Sequence, residues 1–123
     1  MTGPIREVRL PDKARRLMIV VDEDACVGRT PVYTEIVQRA HRSGLAGASV
    51  FRGIEGFGSS GVIHTSRILS LAENLPAMIV IIDAPERIDA FLPQLAEIGV
   101  RGVVAVDDVD IARPGSIPRA AQP

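Results

Sequence analysis

Runs of apolar side chains, separated by polar or glycine-rich stretches, divide the chain into short alternating elements. Residues 17–21, 77–83 and 102–106 are apolar at nearly every position, which is typical of buried β-strands. Residues 48–54 alternate between two sets of side chains and predict a fourth strand whose faces are less cleanly divided. The pattern therefore predicts four strands.

The first predicted helix covers residues 31–43. Thr30 is a typical N-cap residue, and Pro31 suits the first helical position. Gly44 follows at the usual C-terminal glycine position. Apolar residues recur at helical spacing between these ends, at Val32, Ile36, Val37 and Ala40.

A second helix is predicted to begin at Pro85 and to end before Gly99. Pro93 lies inside it, and because proline removes one helical hydrogen bond, we expect a kink or a split into two turns. The apolar residues of its predicted face are Ile88, Phe91, Leu92, Leu95 and Ile98.

The order of elements is strand, helix, strand, long loop, strand, helix, strand. This order predicts the α+β class, specifically a ferredoxin-like βαββαβ sandwich with four antiparallel strands and two helices on one face. Residues 62–75 fit either a hairpin strand or a short helix. Strands that are apolar on both sides need a cover on the open face too, which predicts a homo-oligomer.

Composition narrows the class of protein. A chain of 123 residues forms one domain, predicted at 14–113, with disordered tails at 1–13 and 114–123. Aromatic residues make up 3% and the net charge is −1, which argues against nucleic-acid binding. The sequence shows no secretory signal and no apolar run long enough to insert in a membrane, so we expect a cytoplasmic protein.

The most informative stretch for function is the glycine-rich segment 53–61. Glycines let backbone N–H groups approach an anion closely, and Ser59 and Ser60 add hydroxyl donors, so a phosphate-binding loop is one interpretation. A flexible hairpin tip is the other. His64 follows the segment, either as a metal ligand or acid/base group or as an ordinary loop histidine.

Charged residues outside this segment also allow two interpretations. The acidic runs 22–24 and 107–110 could bind a cation, but solvated loops are the favoured interpretation. Arg29, Arg52 and Arg67 flank the loops and either bind anions bidentately or join surface ion pairs.

Known catalytic and metal-binding arrangements are missing from the sequence. It contains neither a serine nucleophile elbow nor a pair of carboxylates with an obvious acid/base division. Cys26 is the single cysteine and is interpreted as inert, and no third imidazole accompanies the two histidines. We therefore expect no catalytic residues, no dedicated metal site and no required cofactor.

Several motifs resemble the PII signalling proteins. The stretch Arg52-Gly-Ile-Glu-Gly-Phe-Gly58 is followed by His64-Thr65 and by Asn74-Leu75-Pro76 before a strand. Together with Gly28-Arg29-x-Pro31-x-Tyr33, these motifs look most similar to an uncharacterised PII-like family, domain of unknown function 190. The resemblance covers about residues 14–110.

The resemblance implies a ferredoxin-like subunit in a homotrimer that acts in signalling and is not an enzyme. It implies an effector, with an adenine nucleotide as candidate, in the clefts between subunits. It also implies a long T-loop, here about 55–73, that engages a partner such as a membrane transporter or an enzyme. Carried over by motif, with Arg101 in place of the PII phosphate-loop lysines, the ligand-binding candidates are Gly56, Phe57, Gly58, Ser59, Ser60, His64 and Arg101.

Two other families share this architecture. A trimer resembling the CutA divalent-cation tolerance proteins would bind metal through His64 with Glu55 or Asp22. A hydrolase of the acylphosphatase type is the third hypothesis, although the sequence lacks that family's arginine loop and paired asparagine. Fold alone does not decide among the three.

Overall fold

A computed structural model describes residues 10–58, 61–65 and 75–116. Four strands form one antiparallel sheet: β1 (Lys13–Asp22), β2 (Ser49–Arg52), β3 (Pro76–Asp83) and β4 (Val103–Asp110). Their order across the sheet is β2-β3-β1-β4. Two helices connect them, α1 (Val32–Arg42) between β1 and β2 and α2 (Pro85–Ile98) between β3 and β4. The predicted ferredoxin-like class is confirmed.

Shorter elements complete the described chain. Cys26–Val27 pairs with Thr30–Pro31, and Glu55–Gly56 pairs with His64–Thr65. A single 3₁₀ turn, Pro114–Ser116, follows β4. The predicted tail residues 1–9 and 117–123, and most of the ambiguous stretch 62–75, lie outside the described residues, so the division of the chain at 14 and 113 stays a prediction.

The hydrophobic core lies between one face of the sheet and the two helices. Alternate residues of β1 and β3 point into it, as expected from the period of two along a strand. Each helix adds one apolar stripe to the same cluster. The core residues are Leu17, Ile19, Val21, Ala77, Ile79, Ile81, Val32, Ile36, Ala40, Ile88, Phe91 and Leu95.

The opposite face of the sheet, called the open face here, is apolar but only partly covered. Val20 lies opposite both Met78 and Val103, and Met18 lies opposite both Val80 and Ala105, so these side chains share that face. They are half-buried, except Val103, which is exposed, as is Phe51 at the edge of the same face. The predicted cover by another subunit stays a prediction.

Helix α1 follows the prediction closely except at its start. The predicted N-cap, Thr30, is wrong. Thr30 lies in the two-residue strand that pairs with Cys26–Val27, and Pro31, which has an extended backbone and no side-chain cap, precedes the helix. The N–H of Val32 donates to the carbonyl oxygen of Ala25 at 2.8 Å, so the residue just before Cys26–Val27 supplies the acceptor that a capping side chain would otherwise offer. At the other end Gly44 has φ 73°, the left-handed conformation that commonly follows the last turn of a right-handed helix.

Helix α2 runs unbroken through Pro93, so the predicted split is wrong. The helix loses one hydrogen bond at Pro93. Buried residues on both sides of the proline, Ile88, Phe91 and Leu95, pack into the same core and hold the two halves in one helix. Gly99 ends it with φ 81°.

Strand β4 extends four residues beyond the predicted end at 106, and the acidic run 107–110 is part of it. Its interpretation as a solvated loop is wrong. The register places Asp107 opposite Arg16, Asp108 opposite Arg15 and Asp110 opposite Lys13. The corresponding ion pairs measure 2.7, 2.8 and 2.5 Å. Because each aspartate meets a basic partner on β1, the strand tolerates a run that looks like a loop in the sequence.

Candidate functional site

The residues that could bind a ligand gather at one end of the sheet, called the loop end here. Asp22 pairs with Pro76, Arg52 pairs with Ala77, and Val20 pairs with Val103. The end of β1, the end of β2, the start of β3 and the start of β4 therefore share this end. Both the glycine-rich segment and Arg101 connect to it.

The glycine-rich segment begins against Pro76. The N–H of Gly53 donates to the carbonyl oxygen of Pro76 at 2.7 Å. A Cβ added at Gly53 would lie 2.5 Å from Cγ of Pro76, and one added at Gly56 would lie 3.2 Å from it. Both positions favour glycine because a side chain at either one would crowd the ring of Pro76.

Beyond Gly53, the chain forms a two-stranded element, the glycine ribbon, which pairs Glu55–Gly56 with His64–Thr65. Gly56 lies opposite His64, and the N–H of Gly61 donates to the carbonyl oxygen of Gly58 at 2.9 Å. Phe57 is 70% exposed, so it is not a core residue. A Cβ added at Gly58 would meet nothing within 4 Å, which leaves space for a ligand beside it.

The ribbon brings together four of the seven predicted ligand-binding residues, namely Gly56, Phe57, Gly58 and the backbone of His64. Ser59 and Ser60 lie outside the described residues, as does the His64 side chain. Arg101 is not brought to the ribbon. It precedes β4 at one edge of the sheet, whereas the ribbon follows β2 at the other edge. Three strand spacings separate the edges, or about 14 Å at roughly 4.8 Å per strand.

A bidentate ion pair lies at the base of the ribbon. Nη2 of Arg52 donates to Oε1 of Glu23 at 3.0 Å, and Nε donates to Oε2. These hydrogen bonds raise the pKa of Arg52 above its ordinary value. The sequence allows Arg52 to be an anion ligand or an ion-pair partner, and the structure pairs it with Glu23. The interpretation of 22–24 as a solvated loop is wrong at Asp22, which ends β1, and at Glu23, which is largely buried. The signal that was missed is the opposite charge of Glu23 and Arg52 at the ends of β1 and β2, the two strands that flank β3.

Two cavities in the described part of the chain lie elsewhere. One, of about 310 Å³, lies where the end of α1 meets α2 and is lined by Ser43, Leu45, Arg87, Ala90, Phe91 and Gln94. The other, of about 300 Å³, lies on the open face beside β2, and its lining includes Leu10, Gly47, Phe51, Val80 and Ile82. The ribbon and Arg101 contribute to neither.

The described residues contain neither a metal-binding cluster nor a membrane-spanning helix. Within 10–58, 61–65 and 75–116, no three side chains of the metal-ligating types come together in a group that could hold an ion. In these ranges no helix has the length and apolar character needed to cross a membrane.

The sequence matches the family model DUF190, described as an uncharacterized ACR, over residues 14–111. The chain therefore belongs to this family, as the sequence motifs predicted. The UPF0166 protein of Aquifex aeolicus is 33% identical over 99 residues, which cover 80% of this chain and 93% of that protein.

Solved structures resemble the fold at lower identity. One is CPII, a nitrogen regulatory PII-like protein from Thiomonas intermedia K12, whose structure is bound to ADP, AMP and bicarbonate. CPII is 20% identical to this chain with a TM-score of 0.60, and the match covers 83% of this chain and 91% of CPII. CutA from Synechococcus elongatus PCC7942 is 14% identical with a TM-score of 0.52, and the match covers 84% of this chain and 80% of CutA. These similarities establish a PII-like, ferredoxin-like fold.

Proposed function

We propose that the protein is a non-enzymatic PII-like regulator that assembles as a homotrimer in the cytoplasm. It binds a small effector, an adenine nucleotide such as AMP or ADP, in the clefts between subunits. The effector changes the state of the segment 55–73, through which the trimer regulates a membrane transporter or an enzyme. The mechanism is a shift between loop states that bind the effector differently.

The observation that carries this proposal is the separation of the candidate residues. The glycine ribbon and Arg101 lie at the same end of the sheet but at opposite edges. Within one chain the edge strands that lead to them lie about 14 Å apart at the usual strand spacing, so one subunit does not place them side by side. A head-to-tail ring that places the β4 edge of one subunit beside the β2 edge of the next would bring both halves of the site together.

Two further findings support it. The apolar open face, with half-buried Met18, Val20, Met78 and Val80, offers the kind of surface that a subunit interface covers. The structural neighbour CPII, which shares the fold, is bound to ADP, AMP and bicarbonate.

Calorimetric titration with AMP and ADP tests the effector class, with light scattering to measure the mass of the assembly. We expect a trimer and saturable binding that Arg101→Ala and Gly58→Ala both weaken. Arg42→Ala is the control, because Arg42 is an exposed arginine on α1, away from the loop end. A monomer at micromolar concentration, or equal affinity in all variants, would contradict the proposal.

A second candidate is divalent-metal binding of the CutA kind. The pairing of Glu55–Gly56 with His64–Thr65 places Glu55 and His64 on adjacent strands of one ribbon, and CutA shares the fold. Titration with Cu²⁺ and Zn²⁺ separates the candidates: binding that His64→Ala abolishes favours the metal site, and unchanged binding removes it.

A further inference from the structure

The ion pair between Glu23 and Arg52 lies in a different setting from the other ion pairs of the sheet. The three pairs between β1 and β4 lie at the far end, away from the glycine ribbon. Arg52 is instead the last residue of an edge strand and is followed directly by Gly53, where the ribbon segment begins. Its guanidinium therefore lies at the entrance to the candidate effector site.

The geometry of the pair is that of a bound oxyanion. Two nitrogens of one guanidinium donate to the two oxygens of one carboxylate. Arginine binds carboxylate and phosphate ligands through the same parallel pair of hydrogen bonds. The Arg52 side chain is 54% exposed, so an anion from solvent can reach it, whereas Glu23 is only 17% exposed.

We propose that Arg52 is an oxyanion-binding residue, that Glu23 occupies its site in the absence of ligand, and that the phosphate or carboxylate of a small effector replaces Glu23. This inference rests on the proposed function only in placing an anionic effector at the loop end. Glu23 then acts as an internal competitor that sets the concentration at which the effector binds.

Displacement of Glu23 also affects the chain on both sides of the site. The N–H of Glu23 donates to the carbonyl oxygen of Leu75 at 2.9 Å, just before β3, and its carboxylate binds the last residue of β2. Glu23 thus ties together the points where the chain leaves and re-enters the sheet. An effector that takes Arg52 removes the side-chain half of this tie and leaves a largely buried carboxylate without its partner, which costs affinity.

Affinity measurements on matched variants test the inference, with inorganic phosphate and AMP as the probes. Glu23→Gln removes the competing charge and keeps the shape. Glu35→Gln is its control, because Glu35 is 19% exposed and pairs with Arg39 within α1 at 3.0 Å rather than with Arg52. Arg52→Gln removes the site, with Arg42→Gln as control, and thermal unfolding checks that each variant folds.

We expect Glu23→Gln to bind both probes about three- to tenfold more tightly than the parent, since the charge-assisted bond that each probe must break is gone. Arg52→Gln should abolish phosphate binding and weaken AMP binding. The inference is overturned if Glu23→Gln binds phosphate no more tightly than its control Glu35→Gln. It is also overturned if Arg52→Gln binds phosphate with the parent affinity. Absence of AMP binding in every variant, with the phosphate pattern intact, would instead contradict the proposed nucleotide effector alone.

Discussion

The two ends of the sheet place the same type of contact in different surroundings. At the far end, called the paired end here, Lys13, Arg15 and Arg16 of β1 face three aspartates of β4, and Arg15 also binds Asp89 of α2 at 2.7 Å. At the loop end the pair between Glu23 and Arg52 lies beside glycines packed on Pro76.

This difference indicates a structural role for the ion pairs of the paired end and a binding role for the pair of the loop end. A ladder of three pairs fixes the register of β1 against β4, because a slip by one residue would turn every side chain to the other face. The pair between Glu23 and Arg52 at the loop end leaves a half-exposed guanidinium beside a glycine-rich segment. The paired end therefore stabilises the sheet, whereas the loop end is suited to bind and release an anion.

The largest effect is expected at Gly102, which leads into β4 at the loop end. Its φ is 148°, and a Cβ there would overlap the carbonyl oxygen of Val20. Gly102→Ala should lower the free energy of unfolding by about 3 kcal/mol, since it combines backbone strain with a clash against backbone. Urea unfolding measures the loss. Gly47→Ala, where a Cβ meets nothing within 4 Å, is the control.

Within the loop end, Gly53 and Gly58 are expected to differ, with Gly53 needed for packing and Gly58 for ligand binding. Gly53→Ala should cost about 1–2 kcal/mol, because its Cβ would press on the ring of Pro76, which must shift. Gly58→Ala should change stability by less than about 0.5 kcal/mol, as for surface positions in general, while weakening AMP binding. Equal losses of stability in the two variants would show that Gly58 is also fixed by packing.

The paired end should respond to acid. Hydrogen bonds from Arg16 hold the pKa of Asp107 below its ordinary value. A carboxyl group with a lowered folded-state pKa stabilises the fold above its unfolded pKa, near 3.9, and loses that contribution as the pH falls through the folded value. Asp107→Asn should therefore be less stable than the parent at pH 6, and the gap should close toward pH 2. A gap that does not change with pH would contradict the ion-pair account.

A small effect on stability is expected at the loop-end pair. Arg52→Gln should lower the free energy of unfolding in urea only slightly, because Arg52 is exposed to water and the glutamine amide can still donate a hydrogen bond to the Glu23 carboxylate. Its binding of phosphate should nevertheless be lost. A large loss of stability with unchanged binding would assign Arg52 to the structural side of the comparison.

Much of the fold could be predicted because the signals are local. Periodicity located the four strands and both helices, and Gly44 and Gly99 marked the helix ends correctly. The end of β4 was missed because its aspartates are neutralised by residues about ninety positions earlier, which no local pattern reveals. Thr30 was misplaced for a similar reason: its strand partner, Val27, belongs to a ribbon too short to leave a pattern.

The candidate site was predicted less completely. Motif resemblance found the glycine ribbon, but the pairing of Glu23 with Arg52 depends on strand order, which the spacing of residues does not encode. The same strand order separates Arg101 from the ribbon within one chain. Whether these residues form one site is decided by assembly, which lies beyond local sequence signals.

The most direct test of the central claim, a site shared between subunits, is complementation between two defective variants. Arg101→Ala removes one half of the site, and Gly58→Asp places a repelling charge in the other. Each variant alone should bind AMP much more weakly than the parent. In randomly mixed trimers, about a quarter of the sites should pair an intact ribbon with an intact Arg101 from a neighbour and recover binding. No recovery in mixtures whose mixed composition is verified by native mass spectrometry would contradict the account.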